Sequence, residues 1–77
     1  MTQPQTLADT VAGEIRATMA RQRVSAAVIA KALGKSPMYV SRRLSGDVPF
    51  DLADLERVVS VLGVQVADLL PARGRAA

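Results

Sequence analysis

Hydrophobic positions along the chain fall into short runs at helical spacing, divided by residues that start or stop helices. Leu7, Val11, Ile15 and Met19 recur four apart and so share one helix face. Thr6 is an N-cap, and Asp9 at the third helical position suits the positive end of the helix dipole, so a first helix is predicted over 7–22. Ser25 caps a second, short helix whose inner face is Ile29, Ala30 and Leu33 and which Gly34 stops. Ser36 followed by Pro37 restarts the chain, since the serine oxygen accepts an orphan amide and proline belongs at the first helical position. This third helix buries Val40 and Leu44 and ends at Gly46.

Asp51 opens a fourth helix, with Asp54 three residues on and Leu52, Leu55, Val58, Val59 and Leu62 as its apolar stripe before Gly63. Residues 58–66 are rich in β-branched side chains and also fit a strand, turn and strand. The 3-and-4 spacing begins upstream in unbranched residues and follows a cap, which favours helix. A last short helix over 66–70 is stopped by Pro71. The expected fold class is all-α: a compact bundle of about five short helices, one domain over 6–70 between flexible tails at 1–5 and 71–77.

Composition narrows what such a bundle does. Seventy-seven residues suit one small domain, so neither a two-domain repressor nor a cofactor-fold enzyme is expected. With no cysteine and no histidine, the usual zinc ligands, thiolate nucleophiles and the side chain best suited to proton transfer near neutral pH are missing. The acids Asp47, Asp51, Asp54 and Glu56 sit where turn and cap chemistry accounts for them. The chain therefore reads as a non-enzyme with no cofactor, metal or small-molecule ligand. Hydrophobic residues make up 49%, almost all aliphatic, with Tyr39 and Phe50 the only aromatics. Charges or glycine break each apolar run short of a membrane span, and the N-terminus lacks the pattern of a signal peptide, so a cytoplasmic protein is expected.

Charge supplies the sharper signal. Between residues 15 and 46 every charged side chain is basic (Arg16, Arg21, Arg23, Lys31, Lys35, Arg42, Arg43), whereas residues 47–57 carry four acids and one arginine. The net +3 conceals this polarity. Solvated helix faces interleave signs, so seven bases without an acid point to an anionic partner.

The segment 25–46, with Ala30 at the expected helix crossing, Gly34 in the turn, Ser36-Pro37 at re-entry, Val40 inward and Gly46 at the end, resembles the helix-turn-helix of the phage repressor and Cro-like (Xre) DNA-binding family. The pattern of Val48, Pro49, Phe50, Asp51, Leu55, Leu62, Gly63, Val64, Leu69 and Leu70 resembles the family's last two helices. That resemblance implies a lambda-repressor-like fold and a sequence-specific transcriptional regulator, by type a phage immunity repressor or Cro-like repressor. Its partner would be double-stranded DNA bearing an inverted-repeat operator, in the nucleoid of a bacterial cell or phage-infected host. Two departures stand out. Ala26 and Pro37 occupy positions where family members often carry glutamine, and Met19 and Leu44 replace a frequent arginine and glutamate pair. Exchanging both partners of a buried ion pair for packed hydrophobes can be neutral, while exchanging one is costly.

On this reading the recognition helix, over 37–45, enters the major groove and presents Pro37, Met38, Ser41 and Arg42 to base edges. Arg42 suits guanine O6 and N7, with a phosphate clamp or a solvated charge as its plainer role; Met38 and Pro37 suit thymine methyls, with core filling as the plainer role of Met38. Phosphate contacts are assigned to Ser25, Lys35, Ser36, Tyr39, Arg43 and Ser45, with Arg21 and Arg23 as a further basic rim. Tyr39 alternatively lays its ring on the core and leaves its hydroxyl wet. Arg73 and Arg75 read as a solvated tail or a loose basic arm. Val61, Val64, Val66 and Leu69 are surplus apolar residues that either finish the core or form a weak homodimer. The competing function is a protein-interaction module on the same fold, or a DNA-binding antitoxin acting through a partner protein.

Overall fold

The computed structural model describes residues 6–71, and within them the chain forms α1 (Leu7–Gln22), α2 (Ala26–Leu33), α3 (Pro37–Leu44), α4 (Leu52–Leu62) and a final 3-10 turn, Val66–Leu69. Each α-helix starts where a side-chain oxygen accepts from an amide of the first turn. Thr6 Oγ1 accepts from Asp9 N at 3.0 Å, Ser25 Oγ from Val28 N at 3.3 Å, Ser36 Oγ from Tyr39 N at 3.1 Å and Asp51 Oδ1 from Asp54 N at 2.7 Å. Such caps stabilise a helix by about 1 kcal/mol each. Asp9 returns a bond from Thr6 N to its carboxylate at 3.4 Å, which closes a reciprocal box at the first of these ends.

Three helices stop alike. At the ends of α1, α2 and α4 a residue with φ near +60° turns the chain, and the amide after it bonds back to the carbonyl five residues earlier: Val24 to Met19, Lys35 to Ala30, Val64 to Val59. Gly34 and Gly63 hold that conformation at no steric cost, whereas at the end of α1 it is Arg23, with φ 58°. The turn after Gly34 sends α3 off at once, so α2 and α3 pack as consecutive neighbours; α2 also packs on α4, and its Ala30 is buried.

The core gathers one face from every element. Ile15, Ile29, Val40, Val58 and Leu69 are fully enclosed, joined by Val11, Met19, Leu33, Leu44, Leu55 and Leu62. Val24 and Val64, the residues just past two of the helix stops, pack on this cluster, as do Tyr39 and Phe50. Gln22 donates to the Leu62 carbonyl at 2.7 Å, tying the ends of α1 and α4. Among the described residues there is no strand, and 58–62 belongs to α4 rather than to the alternative hairpin.

Some sequence expectations are corrected. Spacing places Leu7 and Leu52 on the inner stripes, yet both are exposed, Leu52 by 84%. Each is the first residue of its helix, beyond the edge of the core, and the two line an open apolar groove of about 220 Å³ with Ala8, Val11, Phe50 and Leu55. The last helix is a single 3-10 turn that closes at Leu69, because Leu70 is already extended ahead of Pro71. No helix among the described residues is long and apolar enough to cross a membrane. Of the expected tails only Pro71 is described; residues 1–5 and 72–77, with Arg73 and Arg75, lie outside the described residues.

Candidate functional site

α3 is amphipathic across its width. Val40 and Leu44 fix its inner side in the core, so the outer side must carry Pro37, Met38, Ser41, Arg42 and Ser45, all exposed. Met38 is 69% exposed, which removes the core-filling alternative for it. The four side chains expected to touch bases, Pro37, Met38, Ser41 and Arg42, thus share one open face of one rigid helix.

The residues expected around that face are differently engaged. Ser25 and Ser36 use their oxygens as helix caps, and a hydroxyl that accepts from an amide still has its own proton to donate outward. Both lie at helix starts, where unpaired amides and the dipole favour an anion. Ser45 is committed differently: its Oγ donates to the Arg42 carbonyl at 2.9 Å and accepts from Asp47 N at 3.4 Å, sealing the end of α3. Arg21 donates to Thr18 Oγ1 at 3.1 Å, and Thr18 in turn donates to the Glu14 carbonyl at 2.8 Å. Arg23 is exposed at the left-handed stop of α1. Arg21 thus lies in the last turn of α1 and Arg23 at its stop, two residues before the Ser25 cap of α2.

Lys35, Tyr39 and Arg43 form one cluster. They are spaced four apart, so they line one ridge of α3 and the turn before it. The Arg43 guanidinium carbon lies 3.4 Å from the centre of the Tyr39 ring and Lys35 Nζ lies 5.1 Å from it, both within cation–π range. Arg43 Nη1 also donates to the Tyr39 carbonyl at 3.0 Å, and its Nε is buried without a hydrogen-bond partner. The Tyr39 ring packs against the core, as its alternative role expects, but its hydroxyl is not left wet and donates to the carboxylate of Asp54 on α4. That carboxylate, by accepting the phenol proton, raises the Tyr39 pKa above its ordinary value; partial burial adds to the shift and Arg43 opposes it.

Two polar residues that hold this site were not recognised from sequence. Asp54, buried at 7% exposure, read only as an acid in the first turn of a helix, since nothing local reveals that Tyr39 will reach it from 15 residues away. Arg16 read only as one charge among seven, yet its Nη1 donates across the bundle to the Leu44 carbonyl at the end of α3.

A protein-family model described as "Helix-turn-helix domain" matches residues 10–72, which is most of the chain and includes all of α2, α3 and α4. No curated protein and no solved structure matches.

Proposed function

The chain belongs to the helix-turn-helix domain family, and on that premise we propose that it is a sequence-specific double-stranded DNA-binding regulator that inserts α3 into the major groove. The observation that carries this reading is the open face of Pro37, Met38, Ser41 and Arg42 on a helix anchored by Val40 and Leu44, inside a 32-residue stretch, 15–46, with seven bases and no acid. Arg42 reads a guanine edge through its two parallel donors, and the exposed Met38 beside Pro37 supplies an apolar surface for thymine methyls. Ser25, Ser36, Lys35 and Arg43 grip phosphates and set register, with Arg21 and Arg23 adding long-range attraction. Tyr39 contributes through its ring, and Ser45 through the helix end it seals.

The finer reading is a repressor of the phage immunity or Cro-like type. Supporting it is the filling of the Xre pattern at Ala30, Gly34, Val40 and Gly46, where Gly34 and Gly46 do have positive φ. Binding as a pair on an inverted repeat follows from the short reach of one recognition helix. Of the surplus apolar residues Leu69 is 1% exposed and completes the core, so the pairing surface falls to Val61 and Val66, with Leu70.

Titration of labelled duplexes across a salt series tests the reading. Affinity should fall with a log–log slope of about −0.9 per phosphate neutralised, and a constant that stays flat between about 50 and 200 mM salt refutes it. On a selected site, Arg42→Ala should cost about 1–3 kcal/mol and flatten preference at one base pair, while Lys35→Ala weakens all sequences alike. Footprinting that protects one half-site at saturation, on a selected motif with no dyad, rejects the pair.

A further inference from the structure

Asp54 stands out as an acid enclosed beside the basic face of a protein that binds a polyanion. A carboxylate there opposes phosphate by simple charge, so its burial calls for a different contribution. Three observations supply one. The carboxylate is held at the first turn of α4, where unpaired amides and the helix dipole favour negative charge. It accepts the Tyr39 hydroxyl, which fixes the ring at its far end. Against that ring lie both Lys35 and Arg43, and Arg43 is pinned further through Nη1 to the Tyr39 carbonyl.

We propose that Asp54 is a positioning residue for phosphate binding: it holds Tyr39 as a fixed aromatic shelf on which Lys35 and Arg43 are stacked together as one two-pronged clamp. This inference rests on the DNA-binding reading above. Long cationic side chains lose rotamer freedom when they grip a phosphate, and side chains already ordered on a ring lose less. With Nη1 committed and Nε buried, the guanidinium presents its Nη2 edge to an oxygen. The shelf touches no base, so it raises affinity for every sequence without altering preference.

Charge and positioning predict opposite signs, which makes the test decisive. Removing a negative charge beside a polyanion's binding face tightens binding by electrostatics alone. Loss of the shelf loosens it. Binding of the full chain to one selected and one mixed-sequence duplex is measured by fluorescence anisotropy, at a temperature where circular dichroism shows each variant folded. Asp54→Ala and Tyr39→Phe should weaken both duplexes by the same factor, about three- to tenfold. Asp54→Asn keeps an acceptor for the hydroxyl and should remain within about twofold of the parent. A purely structural contact would lower the melting temperature and leave the affinity of the folded protein unchanged. Should Asp54→Ala not fold, Tyr39→Phe and Asp54→Asn carry the test. The proposal is overturned if folded Asp54→Ala or Tyr39→Phe binds as tightly as the parent or tighter, or if Asp54→Asn is as weak as Asp54→Ala. A parent that binds no duplex removes the DNA-binding reading and this one with it; a parent that binds while both variants match it removes only this one.

Discussion

Replacing Arg16 by methionine should loosen α3 at its C-terminal end, and the hydrogen bonds of that helix show why. The last carbonyls of a helix have no partner within it. In α3 the Ser41 carbonyl accepts from Ser45 N, that of Arg42 from Val48 N and Ser45 Oγ, and that of Arg43 from Gly46 N. Leu44 is the last helical residue, and its carbonyl is met from another element, by Arg16 Nη1 of α1. A hydrogen bond from a charged donor contributes about 1.5–3 kcal/mol, and a cation at a helix C-terminus about 0.3–1 kcal/mol. The Arg16 side chain is largely exposed, so water screens part of both, and a net loss of about 1–2 kcal/mol is expected for Arg16→Met, which preserves the aliphatic stem. In a domain of this size that lowers the melting temperature by about 5–10 °C. Urea denaturation followed by circular dichroism should show a lower midpoint at an unchanged slope. Arg21→Met is the control, since among the described residues that guanidinium donates to the Thr18 hydroxyl of its own helix and bridges to no other element, and it should cost about 0.5 kcal/mol or less. If Arg16→Met stays within about 0.3 kcal/mol of the parent, or Arg21→Met costs as much, the bridge between α1 and α3 does not have the role assigned to it.

Three further outcomes follow from the packing and backbone of the same helices. Met19 and Leu44 are buried in one apolar cluster, so Leu44→Glu alone should lower stability by about 3–5 kcal/mol, and combining it with Met19→Arg should recover part of that; simple additivity would show that the two positions do not face each other. Arg23→Gly should raise stability by about 0.5–1 kcal/mol, read as a higher urea midpoint, because glycine adopts φ 58° without the strain arginine bears there, and a lower midpoint would contradict this. Tyr39 has a folded-state pKa above its ordinary 10.0, so its contribution is complete below that value and lost as pH rises through the folded one; thermal melts should show an alkaline loss that Tyr39→Phe removes.

Much of the architecture was legible because the relevant physics is local. Thr6, Ser25, Ser36 and Asp51 are helix caps whatever lies beyond them, Gly34 and Gly63 stop helices because their backbones can take positive φ, and a spacing of three and four is a face before anything packs on it. From those marks follow the four α-helices, most of the core and the outward side of α3. What lay beyond reach depended on partners distant in sequence. Leu7 and Leu52 fit their stripes by spacing, but whether a first-turn residue meets the core depends on where the neighbouring helices end. Arg16 and Asp54 carry no local sign of their bonds to Leu44 and Tyr39, because a hydrogen bond across 28 or 15 residues exists only once the helices have docked. By itself the sequence determined the helices, their order and the face α3 turns outward, all of which follow from neighbours a few residues apart. Only the tertiary structure decided which polar groups hold α3 in place and how Lys35 and Arg43 come to share the Tyr39 ring, since both depend on the packing of helices against one another.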